Sequence, residues 1–430
     1  MPCILSLESN LKIMKPNGKI RWQILTLLFF ATTINYIDRQ VIGLLKPTIE
    51  GDLGWSEADY GFIVTAFQIA YAIGLITTGR LLDKYGTRVG YLWAIVVWSI
   101  AGMAHATARG VTSFAIFRFV LGIGESANFP AAVKSVAEWF PKKERALAAG
   151  LFNSGSTVGA ILGPLIVSGI TVAFGWRWAF IITGALGFIW IIFWLAYYHV
   201  PEKHPKISKE ELEYIHQDKD ENNDEESIRW IELFKYKQTI GICSTRFISD
   251  WVWWFFLFWI PDFLSKTHGV NIKEVVLPLI IIYAVSSIGG IGGGWISSNF
   301  IKNGKSVDYA RKVTILICAL VILPVMLVPQ VTNLWVAVAL ISLAAAGHQG
   351  WASNIFTIVS DIYPKNAVGS MMGLSGFLGA IGGALSASFV GILLESTGSY
   401  FFIFLLASSV YLLNWIILKI SIKKIEPLKL

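Results

Sequence analysis

Apolar stretches of about 20 residues recur along the whole chain, and each is long enough to cross a bilayer core of about 30 Å as a helix. Of the 430 residues, 55% are hydrophobic and 15% are charged, which excludes an ordinary soluble domain. We predict an all-α polytopic membrane protein with twelve spans, at 22–45, 60–80, 89–108, 112–133, 146–172, 178–199, 238–264, 275–299, 312–330, 333–359, 366–394 and 399–418.

Positive charges are distributed unevenly between the loops. With a cytoplasmic N-terminus, 26 of the 35 Lys and Arg fall on the cytoplasmic side, and the outer loops hold five. Cytoplasmic loops of membrane proteins are enriched in these residues. We therefore predict a multi-pass protein of the cell membrane with both termini in the cytoplasm. The net charge of +7 reflects this loop bias, so we expect the lipid bilayer as a partner and no nucleic acid.

The chain divides into two similar halves around a long polar segment. We predict a tail at 1–21, a six-helix bundle at 22–199, a cytoplasmic linker at 200–237, a second bundle at 238–418 and a tail at 419–430. The halves resemble each other at an offset of 223, as in EWFPK (138–142) and DIYPK (361–365). Two six-span repeats with a site between them are typical of secondary transporters.

The loop after span 2 reads GRLLDKYGTR (79–88). Gly79, Asp83, Gly86 and Arg88 resemble the GxxxDxxGR signature of the major facilitator superfamily, and the resemblance implies a two-bundle transporter fold. The glycines permit close helix approach and a tight turn. We expect Asp83 to cap or pair with basic groups at a cytoplasmic gate; the alternative is a generic basic inner loop.

Charged residues inside the predicted spans mark a candidate site. Asp38 and Arg39 lie in NYIDRQ (35–40) of span 1, and Arg118 and Glu125 lie in RFVLGIGESANFP (118–130) of span 4. Charges at such positions are costly and usually functional. Asp38, Arg39 and Arg118 have similar predicted depths, so we expect Asp38 to pair with Arg118 and leave one guanidinium for an anionic substrate. The alternative is a static salt bridge between the two spans.

Glu125 is expected near the middle of the membrane. Its small neighbours, Gly122, Gly124, Ser126 and Ala127, allow tight packing and should keep water away. A carboxyl group in such a place can carry a proton through an alternating-access cycle, provided that Arg118 is engaged elsewhere when Glu125 is protonated.

From about Trp22 to the last span, the sequence resembles the anion:cation symporter family, and within it the bacterial hexuronate and sugar-acid transporters. The stretches that carry this are NYIDRQ, RFVLGIGESANFP, DWVWWFFLFWIPDFL (250–264) and AAAGHQGWASNIFTIVSDIYPKNAVGS (344–370). The resemblance implies proton-coupled uptake of a small anionic sugar acid, such as a hexuronate or hexonate, by a monomer that needs no cofactor beyond the coupling proton.

The same resemblance implies roles for particular residues. Asp38 and Glu125 are the implied proton sites, with Arg118 as their switching partner, and Tyr36, Arg39 and Tyr71 are implied substrate contacts. Some relatives bind the sugar acid with a Gln on span 5. Here the region reads LFNSGSTVGA (151–160), so Asn153 or Ser156 is expected to replace it.

Span 10 carries a polar cluster, HQGWASN (348–354). The offset of 223 places His348 opposite Glu125. Hydroxyl and amide groups suit a hydroxylated ligand, and an indole suits the apolar face of a sugar, so we expect His348, Trp351 and Asn354 to contact substrate. The alternative is hydrogen bonding between helices.

Other function classes fit the sequence less well. An efflux antiporter of the same superfamily is one alternative, because Gly159 and Gly163-Pro164 partly match a span-5 motif of such proteins; a carrier of another organic anion is a second. A receptor or membrane enzyme is the third. The sequence shows no metal-ligand cluster or nucleophile–base pair, so we do not expect an enzyme.

Overall fold

The computed structural model describes residues 19–217 and 230–428. Within these ranges the chain is helical and contains no strand. The helices are α1 (Ile20–Leu53), α2 (Glu57–Ala104), α3 (Val111–Glu125), α4 (Asn128–Trp139), α5 (Lys142–Phe174), α6 (Trp176–Tyr197), α7 (Lys209–His216), α8 (Trp230–Leu233), α9 (Lys237–Phe258), α10 (Ile260–His268), α11 (Val276–Lys302), α12 (Val307–Ile322), α13 (Leu334–Ile362), α14 (Lys365–Thr397) and α15 (Phe401–Ser421).

Nine helical segments of the described chain are long and apolar enough to cross a membrane, and α9 with α10, bent by 55°, forms a tenth when taken as one span. The helix α2 counts twice, as Glu57–Leu82 and Lys84–Thr107, and Gly86 kinks it with φ +78°. The broken pair α3–α4 and the charge-bearing helix α1 are outside this count. The apolar helices confirm a polytopic membrane protein, and the count of twelve spans stays a prediction.

Glycines at the offset of 223 pack in the same way in the two halves. A Cβ at Gly159 of α5 would lie 2.5 Å from the carbonyl oxygen of Thr33 on α1, and one at Gly382 of α14 would lie 2.0 Å from that of Phe247 on α9. Such distances leave room only for glycine. These contacts let long helices pack with their backbones close together, as small residues do in membrane proteins.

The two halves meet at the end that the charge distribution predicts to face away from the cytoplasm, which we call the outer end. There α2 packs against α14: a Cβ at Gly61 would lie 2.9 Å from the carbonyl oxygen of Ala387. One turn inward, Thr65 Oγ1 lies 2.7 Å from Ser388 Oγ. Next to Gly61, Tyr60 donates to the carbonyl oxygen of Phe258 on α9 at 2.9 Å. We call the α2–α14 contact the seam.

Five charged side chains also close the outer end. The Lys46 ammonium lies 3.0 Å from Glu50, 3.0 Å from Glu57 and 2.8 Å from Asp262. Lys266 lies 2.9 Å from Glu50 and also contacts Glu57. We call these five residues the outer ionic cluster. Since Lys46, Glu50 and Glu57 belong to the first half and the other two to the second, the cluster holds the halves together.

Candidate functional site

The centre of the site is an ion pair between α1 and α3. Arg39 Nε donates to Glu125 Oε2 at 2.8 Å, and Arg39 Nη2 donates to Asn35 Oδ1 at 3.1 Å. Arg39 is 3% exposed and Glu125 is fully buried. Because a buried charge without a partner is very costly, this pair is the arrangement that lets both groups stay in the bundle.

Close packing of α3 brings Glu125 to this position. A Cβ at Gly122 would lie 2.6 Å from the carbonyl oxygen of Phe67, and one at Gly124 would lie 2.8 Å from the backbone nitrogen of Trp98. Both contacts are with α2, so α3 lies directly against that helix. The helix then ends at Glu125, which is followed by a short turn before α4.

Aromatic rings surround the Arg39 guanidinium. Its Cζ lies 5.0 Å from the ring centre of Tyr36, 5.4 Å from Phe67, 4.9 Å from Tyr71 and 5.3 Å from Trp254. Rings at such distances stabilise a cation, more strongly where water is excluded. Trp254 comes from α9, so the cage contains a residue of each half. We call these four rings the aromatic cage.

Arg118 and Asp38 lie beside the pair without completing their own hydrogen bonds. Arg118 Nη2 donates to the carbonyl oxygen of Arg39 at 3.1 Å, while its Nε and Nη1 have no hydrogen-bond partner in the described chain. Both carboxylate oxygens of Asp38 also lack one there, and the side chain lies beside Thr183 of α6. Both residues are buried.

The predicted pairing of Asp38 with Arg118 is therefore wrong in this structure. Successive residues of a helix point about 100° apart, so the side chains of Asp38 and Arg39 leave α1 in different directions. Arg39 faces α3 and the aromatic cage, whereas Asp38 faces α6. The guanidinium that remains without a carboxylate is that of Arg118, and not that of Arg39 as the pairing implied.

Charge within this group is balanced. Asp38 and Glu125 carry two negative charges when ionised, and Arg39 and Arg118 carry two positive charges. We call these four residues the charged cluster. Addition of one proton would leave a net charge of +1, which one monovalent anion would neutralise. One proton and one monovalent anion added together would therefore leave the net charge of the cluster unchanged.

The residues predicted on span 10 lie elsewhere, inside the second half. His348 Nδ1 lies 2.6 Å from Tyr411 Oη, and Asn354 Nδ2 donates to the carbonyl oxygens of Gly293 at 3.1 Å and Gly350 at 2.9 Å. Trp351 is buried against Tyr411. These contacts match the alternative of hydrogen bonding between helices, and substrate binding by His348, Trp351 and Asn354 stays a prediction.

One ring contact lies between that region and the residue next to the cage. Trp253 lies parallel to His348 with ring centres 5.5 Å apart, and the adjacent Trp254 belongs to the cage. Nothing in the run of aromatic residues at 251–259 distinguishes Trp254 from its neighbours. Asn35 was also missed, although its spacing of four residues from Arg39 on one helix was a usable signal.

The predicted gating motif contains the kink in α2. Gly86 has φ +78°, which L side chains rarely adopt, so a glycine is needed for this turn. Arg88 Nη2 donates to the carbonyl oxygen of Leu195 at 2.7 Å. A Cβ at Gly79 would meet open space, so close helix approach is not its role here. The side chain of Asp83 lies outside the described residues.

Other polar residues of the spans lie away from the charged cluster. Arg246 and Asp250, four residues apart on α9, pair at 2.8 Å. Asn153 is exposed, and Ser156 donates its hydroxyl to the carbonyl oxygen of Asn153 at 2.6 Å. Neither belongs to the cage, so the structure does not bring them to Arg39.

Two helical bundles that close at one end over buried charges define a membrane transport protein. Comparison with known proteins gives the family: the model of the Major Facilitator Superfamily matches residues 28–387. The chain belongs to this superfamily and is a transporter rather than an enzyme.

Curated relatives and solved structures agree with this assignment. The hexuronate transporter of Escherichia coli (strain K12) is 31% identical over 383 residues, which cover 88% of this chain and 89% of the relative. The galacturonate transporter of Dickeya chrysanthemi is 33% identical over 331 residues, which cover 76% of this chain and 96% of the relative. The crystal structure of a D-xylose–proton symporter superposes with a TM-score of 0.75 at 15% identity, over 95% of this chain and 99% of the symporter. This similarity shows that the fold is shared.

Proposed function

We propose that this chain is a proton-coupled symporter that takes up a monoanionic sugar acid, a hexuronate or a hexonate. The main observation that supports this proposal is the charged cluster. It is balanced when fully ionised, yet Arg118 keeps two nitrogen atoms without a partner in the described chain. An anion bound there alone would leave the buried site with an excess negative charge. A proton taken up with it restores neutrality, so binding of each favours the other.

The names of the curated relatives support the substrate class. Several are transporters of hexuronates, galactonate or galacturonate at about 30% identity over most of the chain. The aromatic cage agrees with this chemistry, since rings can cover the apolar face of a sugar while Tyr36 and Tyr71 offer hydroxyl groups. We further infer that the protein lies in the cell membrane with both termini in the cytoplasm.

Uptake into proteoliposomes tests the proposal. Radiolabelled glucuronate or galacturonate should accumulate when the lumen is made alkaline, and a protonophore should abolish the accumulation. A neutral hexose would not supply the carboxylate that Nε and Nη1 of Arg118 lack, a difference of about 2–5 kcal/mol, or roughly 30-fold or more in affinity. Unlabelled gluconate should therefore compete, whereas glucose should not.

The controls separate the alternatives. Liposomes without protein set the background, and lactate tests whether a carboxylate alone is enough for competition. Equal inhibition by glucose and glucuronate would contradict an anion site. Release of preloaded sugar acid driven by inward proton flow, without uptake, would favour the efflux antiporter.

A further inference from the structure

Gln68 on α2 is a buried polar residue that does not belong to the charged cluster. Its side chain is fully buried, and neither the nitrogen nor the oxygen of its amide has a hydrogen-bond partner in the described chain. Burying an amide without partners costs free energy comparable to a lost hydrogen bond for each group. A residue kept at such a cost is expected to find its partners in another state of the protein.

The position of Gln68 is the inner end of the seam. Gly61 contacts the backbone of α14, Thr65 bonds to Ser388, and Gln68 comes next on the same face of α2. Opposite it lies Gly383, where an added Cβ would be 3.7 Å from the Gln68 amide carbon. Gln68 thus lies where the direct packing of the two halves ends and the centre of the molecule begins.

The aromatic cage borders the same place. The Cβ built at Gly383 would lie 3.0 Å from Cδ1 and 3.3 Å from Nε1 of Trp254, so Gln68 and that indole converge on one glycine. Phe67 and Tyr71, on the same helix as Gln68, complete that side of the cage around Arg39. A ligand whose carboxylate is held at the charged cluster would therefore extend past the rings toward the Gln68 amide.

We propose that Gln68 is a specificity-determining residue that hydrogen-bonds a hydroxyl group of the bound sugar acid. The inference rests on the proposed function. The amide offers two donors and one acceptor, which complement a hydroxyl that both donates and accepts. Sites built to bond a hydroxyl reject analogues that lack it, because their own buried polar groups are then left without partners. Gln68 would thus distinguish sugar acids from simple carboxylates, while the charged cluster recognises the anion.

The test measures how affinity depends on each hydroxyl group. Inhibition constants of glucuronate and its 2-, 3- and 4-deoxy analogues are determined in proteoliposomes for the unmodified protein, for Gln68→Met and for Gln68→Leu. In the unmodified protein, one deoxy analogue should bind about 3- to 10-fold more weakly than glucuronate, the range expected for one neutral hydrogen bond. In both variants this ratio should fall toward one, through weaker binding of glucuronate.

Thr65→Val is the matched control, because it removes the hydrogen bonds of Thr65 to Ser388 and to the carbonyl oxygen of Ala384, about one turn from Gln68 on the seam. It should keep the hydroxyl dependence. Thermal unfolding in detergent is the second readout: replacing an unbonded buried amide by Met should leave the midpoint unchanged or higher, whereas loss of a structural hydrogen bond would lower it.

The outcomes separate this inference from the proposed function. An unchanged ratio in both Gln68 variants, or a lowered unfolding midpoint in Gln68→Met, overturns the inference and makes Gln68 a packing residue, while transport of sugar acids stands. If the unmodified protein binds neither glucuronate nor gluconate, the proposed function fails, and the inference fails with it.

Discussion

At the scale of single residues, the pair Arg39–Glu125 dominates the site. Removing one member of a buried ion pair typically costs about 3–5 kcal/mol, because the other charge is left without compensation. Here Asn35 and the aromatic cage also stabilise the Arg39 guanidinium. Arg39 is therefore held in place by several independent contacts, whereas Glu125 depends mainly on Arg39. This asymmetry suits a carboxyl group that releases its partner when it binds a proton.

Glu125→Gln is expected to abolish accumulation driven by a pH gradient while retaining exchange of sugar acid across the membrane. The amide keeps a hydrogen-bond acceptor for Arg39 but cannot bind and release a proton. The measurement is uptake of labelled glucuronate with and without a pH gradient, together with counterflow at equal pH.

Glu395→Gln is its control, since Glu395 accepts from the backbone nitrogen of Ala58 at the periphery of the outer end, away from the charged cluster. Normal accumulation by Glu125→Gln would remove Glu125 from the coupling mechanism.

At the scale of helices, the outer end is closed by two different kinds of contact. The seam consists of small residues that let α2 and α14 pack with their backbones together. The outer ionic cluster adds charge, with Lys46 almost fully buried among three carboxylates and Tyr400 donating to Asp262 at 2.5 Å. Separating the seam breaks neutral contacts such as the Thr65–Ser388 hydrogen bond, whereas separating the outer ionic cluster takes charged groups from their partners. The cluster is therefore expected to set much of the free energy needed to open this end.

Lys46→Met should favour opening of the outer end, because Glu50, Glu57 and Asp262 would then repel one another with only Lys266 to compensate them. We expect a cysteine at Ser388 on the seam to react with an impermeant maleimide about 10-fold faster, which corresponds to about 1.4 kcal/mol. The measurement uses a protein in which the native residues Cys3, Cys243 and Cys318 are replaced by serine.

Lys312→Met provides the comparison. Lys312 pairs with Asp308 at 2.7 Å on α12 and has no ion pair with the outer ionic cluster. Labelling of Ser388→Cys should be unchanged in this variant. The gating role fails if Lys46→Met also leaves labelling unchanged.

At the scale of the whole molecule, the orientation in the membrane is still a prediction from loop charges. Single cysteines at positions 51 and 109, both exposed, should react with impermeant reagents in intact cells. A cysteine at 213 on α7, also exposed, should react only after the cells are permeabilised. Position 213 is preferred to the neighbouring Ile215, which is buried. The reverse pattern would exchange the outer and inner ends and place the seam on the cytoplasmic side.

By itself, the sequence determined the fold class and the members of the charged cluster. Long apolar stretches can satisfy their backbone only as helices in a bilayer, and charges within them stand out because burial is costly. The pairing of Arg39 with Glu125, the place of Trp254 in the cage and the bond from His348 to Tyr411 follow from the packing of the helices. Such choices depend on the rotation and crossing of helices distant in sequence, and a rotation of one residue, about 100°, changes the neighbour that a side chain meets.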